Sequence, residues 1–224
     1  MPYINLHTHR KPQSSEEFCI RNAYFPSKIA NIAHLPYAVS VGIHPWFSEK
    51  KVADFEARME ALLACKNVVA LGEIGLDRVK NVPFSPQIEV FEQQLFFAEK
   101  YKKPVILHCV KAISDIFPYL KNTKVPFIFH QFDANETQLQ QLLPYSAYFS
   151  FGKNLFTSAK SQQVFKIVPD NRYFLETDIA PIRIEKVYAQ AALLKNISEN
   201  AVKEQVFANF VAQIGADKSR FSQI

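Results

Sequence analysis

Tyr3-Ile4-Asn5-Leu6-His7-Thr8-His9 is an apolar run that delivers two imidazoles at its C-terminal end. In an extended strand, residues two apart share a face. His7 and His9 therefore point the same way and can hold one ion, while Thr8 points into the opposite layer. The design recurs along the chain. Val39-Ser40-Val41-Gly42-Ile43 ends in His44, and Val69-Ala70-Leu71-Gly72 leads to Glu73. Pro104-Val105-Ile106-Leu107 ends in His108, Pro126-Phe127-Ile128-Phe129 in His130, and Tyr173-Phe174-Leu175-Glu176-Thr177 in Asp178. An apolar run carrying a metal-ligand side chain at its C-terminal end, met six times, is a barrel active site read in one dimension.

Working outward, eight strands are expected near residues 3–9, 18–24, 37–43, 68–74, 104–108, 126–130, 146–151 and 172–178. They are apolar on both faces, as parallel strands covered by helices should be. Helical patterns lie between most of them. Asp54 to Cys65 is amphipathic, and from Pro86 to Tyr101 the residues Val90, Phe91, Gln94, Leu95 and Ala98 recur at helical spacing. Ser85-Pro86 reads as an N-cap followed by proline at the first helical position. Asn135 and Gln138 make a capping pair, and residues 183–195 and 199–213 read as the last two helices. Residues 10–17 are too few for a full helix. The expected fold is therefore α/β, a (β/α)8 TIM-type barrel with a degenerate first βα unit. No linker or low-complexity stretch divides the chain, so residues 1–224 are expected to form one domain. Four of the five glycines, Gly42, Gly72, Gly75 and Gly152, fall at or beside expected strand ends, where tight turns and close approach need them.

Composition narrows the class. Twenty phenylalanines against two methionines predict an aromatic-rich core. No stretch approaches the length of a membrane span, and the start of the chain lacks the pattern of a signal peptide. Cys19, Cys65 and Cys109, odd in number and without paired spacing, read as free thiols in a reducing cytoplasm. The net charge of +5 favours an anionic partner, although the cations are scattered rather than gathered into a basic arm.

The candidate site residues follow from position and type. Imidazoles and carboxylates form a mixed nitrogen and oxygen donor set, which suits Zn²⁺ or Mn²⁺ and allows Mg²⁺. Glu73, in Gly72-Glu73-Ile74-Gly75-Leu76-Asp77, is a carboxylate able to bridge two metals. Asp77 is read as either a ligand or a residue orienting the Glu73 segment. His44 is read as a contact to substrate phosphate or a hydrogen-bond partner of a ligand. His34 ends no strand and reads as a surface residue, and Cys109 as a packed thiol. Arg10, Arg78, Lys111 and Lys153 lie near strand ends, where a cation can clamp phosphate.

Taken together, His7-x-His9, Gly42-Ile43-His44-Pro45, Gly72-Glu73-Ile74-Gly75-Leu76-Asp77, Pro104 to His108, His130-x-Phe132, Ser150-Phe151, Glu176-Thr177-Asp178 and Asn209-Phe210 resemble the TatD family of metal-dependent deoxyribonucleases, within the amidohydrolase-like superfamily. The resemblance runs from Asn5 to Phe210. It implies a (β/α)8 barrel, two divalent ions and hydrolysis of phosphodiester bonds in DNA. It places His7, His9, Glu73, His108, His130 and Asp178 as metal ligands, with Glu73 bridging. Four places depart from the family pattern. Asn5 stands where an Asp is usual, and Cys109-Val110-Lys111-Ala112 lacks the usual basic residue after the histidine. Gln131-Phe132-Asp133-Ala134 replaces a glycine-bearing loop, and the loop after Asp178 is cut to Ile179-Ala180-Pro181-Ile182. These changes bear on substrate range more than on the ligands.

The expected activity is hydrolysis at a two-metal site, with Asp178 as ligand and proton acceptor, Glu73 as bridge, and His44, Lys111 and Arg78 toward substrate. Single-stranded DNA or frayed ends are the expected substrate, because an intact duplex is too wide for a pocket at a barrel mouth. A monomer is expected. Two alternatives stand beside this reading: the same site acting on a small phosphoester, amide or lactone, and a catalytically weak metal-binding scaffold.

Overall fold

The computed structural model describes residues 1–25 and 32–215. The domain expected over residues 1–224 thus includes two stretches, 26–31 and 216–224, that lie outside the described residues. Among those described, eight strands are present: β1 (Tyr3–Thr8), β2 (Glu17–Tyr24), β3 (Ala38–Gly42), β4 (Val68–Asp77), β5 (Val105–Val110), β6 (Phe127–Phe129), β7 (Ala147–Phe151) and β8 (Tyr173–Leu175). They are ordered β1 to β8 as in the chain, and the β3–β4, β4–β5, β5–β6 and β7–β8 ladders are parallel. The helices are α1 (Phe55–Leu63), α2 (Phe84–Lys100), α3 (Ile113–Asn122), α4 (Glu136–Leu142), α5 (Asn154–Thr157), α6 (Ala159–Ile167), α7 (Ile184–Lys195) and α8 (Glu199–Ile214). This is the alternation of a (β/α)8 barrel. Residues 9–16 hold turns and irregular chain but no helix, so the first βα unit is degenerate as expected.

The chain groups into two compact units, Arg21–Phe129 and Met1–Ile20 with His130–Ile224. In the first, β3, β4 and β6 are buried almost throughout, with Val39, Val41, Leu71, Ile74, Leu76, Phe127 and Ile128 inaccessible to solvent. Strands buried on both faces read as continuous apolar runs. Helix α2 covers them with Phe91, Phe97 and Ala98, and with two glutamines one heptad apart, Gln87 and Gln94, both buried. In the second unit the core is aromatic, as the phenylalanine count predicts: Phe149, Phe151, Phe165, Tyr173, Phe174, Tyr188 and Phe210 are all essentially inaccessible. Asn209 explains half of the Asn209-Phe210 motif. Its amide donates to the carbonyls of Asp170 (2.7 Å) and Tyr173 (2.9 Å), satisfying the backbone where β8 begins.

Three local expectations change. Helix α2 begins at Phe84 with Pro83 as its N-cap, so Ser85 and Pro86 lie inside the first turn. The first four N–H groups of a helix have no partner within it, so proline is tolerated there. Helices α3, α5 and α6 have no counterpart in the sequence reading; α3 runs through Pro118, held by burial of Ile116 and Leu120. Finally, β4 runs on to Asp77, so Gly72, Glu73 and Gly75 lie within the strand rather than at its end. The glycines serve the ladder. A Cβ on Gly75, whose φ is +144°, would meet the His108 carbonyl oxygen at 2.0 Å, and one on Gly72 would meet Ile106 Cβ at 2.6 Å. The capping pair is as expected: Gln138 N donates to Asn135 Oδ1 at 2.9 Å and Asn135 N to Gln138 Oε1 at 3.0 Å.

The contrast between Gly75 and Gly215 gives a stability test. Gly215 also has positive φ, +66°, yet nothing lies within 4 Å of a Cβ built there. Gly215→Ala should cost about 1 kcal/mol, the ordinary left-handed penalty. Gly75→Ala should cost at least ~3 kcal/mol, because backbone rather than a flexible side chain has to yield. Urea unfolding of the two variants beside the wild type reads the difference.

Candidate metal centre

In the unit containing β3, β4 and β5, His44, Glu73 and His108 each offer a ligand atom, and those atoms all lie within 4.8 Å of one another. Each is held from behind. His44 follows β3 and caps the short 3₁₀ turn Pro45–Phe47; its Nδ1 accepts from Trp46 N at 3.1 Å. A neutral imidazole with Nδ1 as acceptor carries its proton on Nε2. That Nε2 meets Glu73 Oε1 at 3.0 Å and His108 Nδ1 at 3.3 Å. His44 thus donates to the Glu73 carboxylate.

His108 presents Nδ1 to Glu73 Oε1 at 2.8 Å and turns Nε2 to Asp77 Oδ2 at 3.1 Å. Histidines that bind metals commonly donate their other nitrogen to a carboxylate, which fixes the ring and its tautomer. Asp77 has that position behind His108. The carboxylate also accepts from Trp46 Nε1 at 2.7 Å and from the N–H groups of Val79 (2.8 Å) and Lys80 (3.0 Å). Burial opposes its charge, but the hydrogen bonds from His108, Trp46 and these amides outweigh burial and hold it well below the usual carboxylate range.

The two buried glutamines of α2 set the backbone of this cluster. Gln94 accepts from Ile43 N (2.6 Å) and donates to Ile43 O (3.1 Å), beside His44. Gln87 accepts from Asp77 N (2.8 Å) and donates to Asp77 O (3.0 Å). Each amide replaces a strand neighbour on both backbone groups. Sequence reading placed Gln94 in the apolar stripe of α2; a polar residue in such a stripe was the signal for this role.

In the other unit, His7, His9 and Asp178 form a second group, their ligand atoms again within 4.8 Å of one another. Asp178 Oδ1 lies 3.6 Å from His7 Nε2 and 3.3 Å from His9 Nε2. Gln131 Nε2 donates to Oδ2 at 2.9 Å. Burial raises the Asp178 carboxyl, yet His7, His9 and the nearby His130 pull it far lower, so it is ionised. His7 is fully buried and His9 about one-third exposed. Thr8 faces the other way, with its Oγ1 against Thr177 Oγ1 at 3.1 Å. The His130 ring lies 4.8 Å from the His7 ring, and its Nδ1 is 3.4 Å from Glu176 Oε1. Glu176, fully buried, repeats behind His130 the arrangement of Asp77 behind His108. It stood in the Glu-Thr-Asp motif without an assigned role. Its position two residues before Asp178, just past the apolar run of β8, was the available signal.

Asn5 shows why the usual acid is replaceable. Its Nδ2 donates to Glu17 Oε1 (2.7 Å) and Thr177 Oγ1 (2.9 Å), and its Oδ1 accepts from Thr177 N (3.0 Å). An aspartate there would set a second carboxylate against buried Glu17; the amide supplies the donor instead.

The expected cations are differently placed. Arg78 grips Asp115 through Nε (2.7 Å) and Nη2 (2.6 Å), and its guanidinium lies 4.0 Å from the Phe84 ring centre. Lys111 is exposed just past β5, at φ +50°. Arg10 donates to Ile179 O at 3.2 Å, and Lys153 is exposed at the start of α5. His34 is exposed, and burial pushes the Cys109 thiol up to about 12, as for a packed cysteine. All three cysteines are free, and no described helix is long and apolar enough to cross a membrane.

Over 145 residues the chain is 32% identical to "Uncharacterized metal-dependent hydrolase YabD" of Bacillus subtilis, an alignment covering 62% of this chain and 57% of that protein. It is 29% identical over 196 residues to the human "3'-5' RNA nuclease TATDN2", covering 80% of this chain and 26% of that one. It is 28% identical over 199 residues to the "3'-5' ssDNA/RNA exonuclease TatD" of Edwardsiella piscicida, covering 81% and 75%. The chain therefore spans less than two thirds of the Bacillus and human proteins. The crystal structure of YJJV, a TatD homologue from Escherichia coli, superposes with a TM-score of 0.85 at 22% identity, covering 96% of this chain and 98% of that one, and shares the fold. The sequence model of the family described as "TatD related DNase" matches residues 22–215, beginning after His7 and His9, and by that match the chain belongs to the TatD family.

Proposed function

We propose that this protein is a divalent-metal-dependent nuclease that hydrolyses phosphodiester bonds in DNA, acting through one catalytic domain. The observation that carries the reading is the pair of clusters in which a carboxylate is set among imidazoles. Such donor sets fit Zn²⁺ or Mn²⁺ and accept Mg²⁺. His7, His9, Glu73, His108, His130 and Asp178 are the proposed ligands of two ions. Divalent ions held there would polarise the phosphate and acidify a water.

The chain's own groups have distinct tasks in this reading. Asp77 and Glu176 orient His108 and His130 and leave the opposite ring nitrogen available to each ion. Asp178, held ionised, accepts the proton of the attacking water. His44 donates from Nε2 to Glu73, and it can turn to the substrate phosphate only by giving up that bond. Lys111 is the exposed cation placed to neutralise the strand. Arg78 shares its charge between Asp115 and that strand, with Nη1 outside the Asp115 pair. Single strands or frayed ends are the proposed substrate, a monomer the proposed state and the cytoplasm the proposed compartment, where three free thiols stay reduced.

Elemental analysis after gentle purification, followed by metal titration of chelated protein, should count two ions per chain. Fewer than one at saturation rejects the metal-centre reading. Glu73→Ala should reduce turnover by at least ~100-fold, the scale of losing a group that acts directly in the transition state, while circular dichroism and the urea midpoint stay near wild type. Near-normal activity at matched metal would make Glu73 a structural acid. End-labelled single-stranded and blunt duplex DNA, incubated with Mg²⁺, Mn²⁺ or Zn²⁺ across salt, should show faster cleavage of the single strand, with apparent affinity falling as salt rises. Turnover of a lactone, amide or small phosphoester without cleavage of either DNA would move the function to that substrate class.

A further inference from the structure

Trp46 is the chain's only tryptophan, and 42% of it is exposed although it adjoins the His44 cluster. Its indole centroid lies 4.8 Å from that of His44 and 6.0 Å from that of His108, edge-on to both rings. The Nε1 edge is pinned inward by the 2.7 Å hydrogen bond to Asp77 Oδ2. Lys80, exposed at the end of the turn that Asp77 caps, holds its ammonium 4.3 Å from the indole centre. A large aromatic side chain is thus anchored at its Nε1 edge and partly exposed beside the His44 cluster, with the exposed Lys80 ammonium over its ring centre.

We propose that Trp46 is a stacking platform for a nucleobase of the substrate strand, an inference that rests on the nuclease reading above. A nucleotide carries its base one sugar away from its phosphate, so a phosphate beside His44 and His108 brings a base within reach of the indole. Stacking on an aromatic face is tolerant of sequence, because every base has a π-face. The pinned edge matters energetically: the ring is ordered before substrate arrives, so little freedom is lost on binding. Lys80 does not block the platform. A surface cation–π contact is worth less than a base stack. The incoming base displaces the ammonium, which then turns to a phosphate of the same strand. The platform binds single strands selectively, since a base in an intact duplex has both faces already stacked.

Because the protein has a single tryptophan, its intrinsic fluorescence reports on this residue alone. Metal-loaded Glu73→Gln protein, and separately chelated wild-type protein, would be titrated with a fluorescently labelled oligothymidylate and with an abasic oligonucleotide of equal length. Anisotropy of the label records binding independently. The expected result is that both strands bind but only the base-bearing one quenches Trp46. Trp46→Ala should weaken oligothymidylate binding by roughly 5- to 150-fold, the range for losing one base–aromatic stack, and should leave abasic binding within about twofold. Trp46→Phe keeps an aromatic face but loses the donor to Asp77, and should retain most of the affinity. Binding without quenching, equal quenching by the abasic strand, or an equal loss in the Phe and Ala variants would overturn the proposal; the last would make Trp46 a brace for Asp77. If neither strand binds in either protein form, the nuclease reading falls and this inference with it.

Discussion

The close approach of β4 to β5 is the constraint on which the first cluster depends. Gly75 pairs with His108 across the ladder, and the space a side chain would need is filled by the His108 carbonyl. Only with the strands this near does Glu73 on one meet His108 on the other at 2.8 Å, while Asp77 reaches the far nitrogen at 3.1 Å. The ladder alone does not finish the placement. Gln87 and Gln94 hold the backbone of Asp77 and Ile43 from α2, each with a donor and an acceptor on one residue. Leaving a buried backbone group unpaired costs about 1–3 kcal/mol, so these amides stabilise the edge of the cluster as well as aligning it.

Both units use one device, a carboxylate behind an imidazole. Asp77 stands behind His108 and Glu176 behind His130, and each carboxylate is tied by backbone amides besides its histidine. Asp77 takes the N–H groups of Val79 and Lys80, and Glu176 takes that of Gln131 at 3.0 Å. Backbone donors matter because they cannot rotate away. They hold the acid in place, and a fixed acid sets which ring nitrogen carries the proton. The precision of the centre therefore originates in turns next to the strands, which explains why acids just past an apolar run matter as much as the histidines that end it.

The alternation of strands and helices was legible because parallel strands are apolar on both faces and helices carry a stripe. β1 to β8 and the capping pair at Asn135 and Gln138 follow from those patterns. The proposed ligands were legible because imidazoles and carboxylates are otherwise unwelcome at the ends of apolar runs. What escaped shares a physical cause: it depends on partners distant in sequence. Nothing local marks Gln87 as a clamp on Asp77, or Asn5 as the donor that neutralises Glu17. Helix α3 runs through Pro118 against local propensity, because burial of Ile116 and Leu120 secures it. Ser85 and Pro86 misplaced the start of α2, since a first turn needs none of its own amides and a cap signal there can slip.

The residues that depart from the family pattern show how a rim changes while a centre persists. Where a glycine-bearing loop is usual, this chain has Gln131 with φ +45°, a conformation that costs a side-chain-bearing residue about 1–2 kcal/mol. Gln131 returns that cost through two contacts glycine cannot combine: its N–H donates to Glu176 and its side-chain amide to Asp178. A hydrogen bond to a charged acceptor contributes about 1.5–3 kcal/mol, so the balance favours the glutamine. Glycine could supply the backbone donor but never the amide. Gln131 therefore couples the acid behind His130 to the acid between His7 and His9.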